Sequence, residues 1–74
     1  MTGEILFKLV SALLPDDVRQ LMAAGYGQEA GRIIDELDML RLRWREREHV
    51  HVDRKVCSDI QVRLNELRAA LRED

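Results

Sequence analysis

Cysteine is nearly missing from this chain. Cys57 is its only one, which excludes an intrachain disulfide and makes a four-cysteine zinc site impossible without a second chain. A single thiol also suits a reducing compartment better than an oxidising one. An excess of one charge is missing too. Twelve basic residues meet fourteen acidic ones, for a formal net charge of −2, so nothing in the bulk electrostatics draws the chain to DNA or to an anionic membrane. The balance holds in pieces: Lys8 and Arg19 stand against Glu4, Asp16, Asp17 and Glu29 up to residue 30, and ten basic residues meet ten acidic ones after it.

A long hydrophobic run is the third absence. The opening MTGEILFKLVSALL is apolar, but Glu4 stands where a signal peptide has basic residues and Lys8 interrupts the run. No small-residue cleavage site follows before Pro15. The stretch is far too short to span a bilayer. The expectation is a single cytoplasmic domain, residues 1–74, without a membrane segment. A chain of 74 residues buries a modest share of its surface and is marginal alone unless a disulfide, a metal or a partner adds to it. With the disulfide excluded, a partner is the economical addition.

What is present is helical. Leu, Arg, Glu, Ala and Asp dominate, β-branched residues never alternate over a useful length, and one proline with four glycines supplies the breaks. The pattern predicts a helix from Gly3 to Leu14. Pro15-Asp16-Asp17 is a helix start, giving a second helix over 16–24 that ends at Gly25, a natural left-handed cap. A third runs from Gln28 to about His49, and a fourth, capped by Asp53, continues to Arg72. The expected fold is therefore all-α: a small helical bundle with a long antiparallel hairpin of the last two helices and two shorter N-terminal helices across one end or face.

Apolar periodicity orients these helices. Ala30, Ile33, Ile34, Leu37, Leu40 and Trp44 form a core stripe on the third helix. Val56, Ile60, Leu64, Leu67 and Leu71 form its counterpart on the fourth, with Cys57 at the edge. Met39 and Leu42 lie nearly opposite the first stripe and need another neighbour. In the first helix Ile5, Leu6, Phe7, Leu9, Val10, Leu13 and Leu14 surround most of the circumference, so it has to be covered on more than one side. These nine residues, seven from the first helix with Met39 and Leu42, are the expected partner-binding set, either in a homodimer or against a partner's amphipathic helix. Burying about four more large side chains at roughly 2 kcal/mol each would add several kcal/mol to a marginal fold.

The most conspicuous stretch is RLRWREREHVHVD, residues 41–53. Arg41, Arg43, Arg45 and Arg47 around Trp44 have the composition of a nucleic-acid stripe, and they are the candidate contacts if this chain reads DNA. Helical spacing argues otherwise: Asp38 with Arg41, Arg43 with Glu46 and Arg45 with Glu48 form i,i+3 pairs that neutralise the field, and Trp44 falls on the core stripe. A related pointer is VRQLMAAGYGQEAGRIIDEL, residues 18–37. It resembles the first two helices of a helix-turn-helix of the recombinase or transposase kind, and it also resembles the turn of tetratricopeptide-like helical hairpins. The first resemblance implies a dimeric DNA-binding regulator, the second a helical interaction surface. The sequence departs from the DNA-binding pattern in placing Glu29, Asp35, Glu36 and Asp38 where phosphates would lie.

His49, His51, Asp53 and Cys57 are ligand types within nine residues, but their spacing straddles a helix end, a loop and a helix start, so no metal site is expected. No Gly-rich phosphate loop or nucleophile elbow is present, and four short helices leave little room for a substrate pocket. No enzyme activity and no cofactor are expected. The expectation for function is a small adaptor, chaperone-like or regulatory module that acts through helix packing.

Overall fold

A computed structural model describes residues 3–47 and 53–72 of the chain. The described residues form four helices: α1 (Gly3–Ala12), α2 (Pro15–Ala23), α3 (Gly27–Arg47) and α4 (Asp53–Arg72). The all-α hairpin architecture expected from the sequence is the one observed, with the long helices α3 and α4 packed on each other and on both N-terminal helices.

The first break is a proline effect. Leu14 precedes Pro15 and takes an extended conformation, φ −91 and ψ 153, because the proline ring disfavours helical geometry in the residue before it. The expected helix over Gly3–Leu14 therefore stops at Ala12. Pro15 then opens α2, where its missing N–H costs nothing. The Asp17 carboxylate accepts a hydrogen bond from the Leu14 N–H at 3.2 Å, the acidic half of a capping box.

The second break is a Schellman turn. The Tyr26 N–H donates to the Leu21 carbonyl at 2.7 Å and the Gly25 N–H to the Met22 carbonyl at 3.0 Å. Gly25 sits in the left-handed region at φ 90, as this motif requires. The Tyr26 carbonyl then accepts from the Ala30 N–H at 3.0 Å and starts α3.

Because α1 and α2 run on from one another with only Leu13 and Leu14 between them, they act as one interrupted rod. Gly3 lies against Trp44 near the far end of α3, while Gly27 at its start lies against Met22 of α2. The rod therefore follows the hairpin along its length instead of crossing one end, and the result is a three-rod bundle measuring 40 × 17 × 16 Å. Helices of about 20 residues span roughly 30 Å, which accounts for most of that length.

The core runs down the middle of the three rods. Leu6 and Val10 of α1, Val18 of α2, Ile34 of α3, and Ile60, Leu64, Leu67 and Ala70 of α4 form one buried cluster. Helix α4 supplies half of these and packs on all three other helices. Val56 and Leu71 close the ends of its stripe, partly buried. On α3 the inward line differs from the expected one. It passes through Ala30, Ile34 and Arg41, all buried, whereas Ile33 is 47% exposed. A turn of 100° separates Ile33 from Ile34, and the observed rotation of α3 buries Arg41 and lets Asp38 meet Arg68 of α4. Among the described residues no helix is long and apolar enough to cross a membrane.

Candidate interaction surface

Helix α1 carries apolar residues on most of its circumference, and the fold divides them. Leu6 and Val10 are fully buried in the shared core, and Phe7 and Leu13 pack partly against it. Leu6 and Val10, counted among the partner-binding residues from sequence, are therefore taken up inside the chain. Their neighbours face out: Ile5 is 50% exposed, Leu9 48% and Leu14 48%. Ile5, Leu9 and the exposed Ala12 follow i, i+4, i+7 spacing and make one apolar edge along the helix.

Met39 and Leu42 are both exposed, Met39 by 54%, as their place opposite the core stripe implies. Around Met39 the outer face of α3 forms a shallow open groove of about 800 Å³, lined among others by Gln28, Arg32, Asp35, Glu36 and Arg43. All the residues lining it belong to α3, so it is a surface of one helix and not a cleft between two.

The arginine run separates into different roles. Arg41 is buried, and its Nε donates to the Asp38 carboxylate at 3.1 Å, the i,i+3 pair anticipated from spacing. Arg43 and Arg45 are exposed. The side chain of Arg47, Glu48 and the corner histidines His49 and His51 lie outside the described residues. Trp44 is half-buried with its indole over the Gly3 backbone, which makes it an anchor for the start of α1.

Arg68 was not among the residues singled out from sequence. Its guanidinium crosses from α4 to donate to the second Asp38 oxygen at 2.8 Å, with Asp35 at 3.6 Å. Asp38 thus joins α3 to α4 through Arg68 and pairs with Arg41 within its own helix. Burial alone would raise the Asp38 pKa, but the hydrogen bonds from Arg68 and then Arg41, with the attraction of both charges, outweigh it and hold it below the ordinary carboxylate range. Arg68 is raised by its bond to Asp38 against a smaller opposing effect of burial. One signal could have revealed this link: Arg68 interrupts the edge of the Leu64, Leu67, Leu71 stripe, where a charged side chain needs a partner across the helix interface.

Cys57 is 6% exposed and belongs to the interior of α4, the small-hydrophobe role expected of it. Among the described residues no group of three or more His, Cys, Asp and Glu side chains could hold a metal ion. No protein-family model, no curated protein and no solved structure matches this chain.

Proposed function

We propose that this chain is a small cytoplasmic protein–protein interaction module, an adaptor, chaperone-like or regulatory element that acts through helix packing and self-associates as a homodimer. The observation that carries this reading is the apolar surface left after the core is complete: Ile5 and Leu9 along α1, Leu14 at the break, and Met39 and Leu42 on the far side of α3, each between 37% and 54% exposed. Large apolar side chains grouped on the outside of a small domain are the usual mark of an interface. The buried thiol of Cys57 is in keeping with a reducing compartment.

A DNA-binding regulator is the other class of function to weigh. The sequence resemblance at the corner between α2 and α3 points to it, but Glu29, Asp35 and Glu36 are exposed on the helix that would approach DNA, and Arg41 is committed to Asp38. Those acids oppose phosphates, and one of the four candidate cations is occupied within the fold.

Light scattering over a concentration series tests the reading. The expected result is a mass that rises to twice that of the chain, with the rise lost in a Leu9→Asp, Met39→Asp double variant that stays folded by circular dichroism. A monomer at every concentration overturns self-association. Binding to duplex DNA that weakens steeply with salt would favour the alternative.

A further inference from the structure

We infer that the outer face of α3 is a twofold self-contact centred on Met39, in which the α3 helices of two copies pair antiparallel. This rests on the self-association proposed above and says which surface makes it.

The argument is one of charge. In an antiparallel helix pair related by a twofold axis, a residue a given number of positions before the centre meets the residue the same number after it on the other copy. Residues four and seven positions from Met39 share its face of the helix. Reflection about Met39 sets Asp35 opposite Arg43 and Arg32 opposite Glu46. Glu36, next to Asp35, lies on the same side of the seam as the facing Arg43. Twofold symmetry makes each pairing twice. All five charged residues are exposed, and four of them line the groove around Met39. The centre holds Met39 of both copies flanked by Leu42, so two of the exposed apolar side chains of α3 come together inside a ring of opposite charges.

The same operation fails on the other exposed apolar centres. Reflection about the middle of α1 brings Ile5 to Leu9, but it sets Lys8 opposite Leu6 and Glu4 opposite Val10, with no ion pair. On α4, reflection about the exposed Val62 sets Asp59 against Asn65, Ser58 against Glu66, and Lys55 against Ala69. Of these three centres only the one on α3 has a charge pattern complementary to its own reverse. Access agrees with this, because Met39 lies almost diametrically opposite the buried line of Ala30, Ile34 and Arg41. A second α3 can therefore approach on the side turned away from the core, with Arg68 of α4 reaching only the edge of the seam, 3.6 Å from Asp35.

Charge reversal with repair is the test. Arg43→Glu places an acid against Asp35 and Glu36 of the other copy, and Glu36→Arg places a cation against Arg43. Each single change is expected to weaken the dimer about tenfold or more, and the Glu36→Arg, Arg43→Glu double variant to recover part of the loss, because opposite charges meet again at position 36 while Asp35 still faces the new acid. In parallel, Met39→Cys should form an interchain disulfide when treated with oxidised glutathione, while the parent chain, with Cys57 buried, and a Leu9→Cys variant should not. A dimer that ignores both charge changes, shows no repair and cross-links through Leu9→Cys overturns the α3 contact while leaving self-association intact. A chain that is monomeric throughout overturns self-association itself.

Discussion

Arg68 on α4 and Asp38 on α3 lie 30 positions apart in the chain and meet at 2.8 Å, a side-chain hydrogen bond that joins two helices. Asp38 accepts on its other oxygen from Arg41, whose side chain is only 9% exposed. The carboxylate therefore compensates a nearly buried cation and pins the register of the hairpin at the same time. Removing one partner of such a pair strands the other, which costs more than the pair contributes when whole.

Asp38→Asn is accordingly expected to destabilise the fold by about 2 kcal/mol near neutral pH, read by urea unfolding. The pH dependence has a definite sign. The folded-state pKa of Asp38 is lowered, so its contribution is fully present above the ordinary carboxylate range and is lost as pH falls through the lowered value. The gap between parent and variant should thus narrow on acidification. A gap that stays constant from neutral pH down to the acid limb would show that the pairing does not act through the charge of Asp38.

Two glycines should respond in opposite directions to the same substitution. A Cβ on Gly31 would sit 3.8 Å from Leu71 Cδ1, an ordinary contact, in the interior of α3. Gly31→Ala is expected to stabilise by about 1 kcal/mol, raising Tm by roughly 4–8 °C for a domain this size. At Gly25 a Cβ meets nothing within 4 Å, yet φ is +90. Gly25→Ala should cost about 1 kcal/mol through backbone strain alone, and Gly25→Asn less. Thermal melts of the three variants decide the point, and a gain from Gly25→Ala would contradict the Schellman turn.

Gly3 and Trp44 form the other close fit. A Cβ on Gly3 would run into the Trp44 indole, so Gly3→Ala has to displace the ring or the first turn of α1. The expected loss is about 1 kcal/mol. Trp44 is the only tryptophan, so its emission reports the displacement directly, and an unchanged spectrum with unchanged stability would mean that the ring does not cover α1.

What the sequence made legible follows from how local each signal is. The four helices and their breaks were readable because Pro15 and Gly25 act on their immediate neighbours. The stripe on α4 was readable because Ile60, Leu64 and Leu67 meet one continuous core. Ile33 was misplaced by the same arithmetic, since a hydrophobic stripe does not reveal that a helix will turn to bury Arg41 and bring Asp38 against Arg68 of its neighbour. Periodicity counts apolar residues, and here two charged ones help set the rotation of α3. On α1 the sequence identified an excess of apolar surface but could not divide it, because the division between Leu6 and Val10 inside and Ile5 and Leu9 outside depends on where α4 lies.

The placement of α4 also bears on how the chain is made. Every helix it touches leaves the ribosome before it does, and it supplies Ile60, Leu64, Leu67 and Ala70 to the core. Until those residues emerge, Leu6, Val10, Val18 and Ile34 have no complete seat, and the nascent segment presents most of its oily side chains to solvent. Such a chain closes late and at once, and during that interval it is a client for whatever factor shields apolar segments during translation.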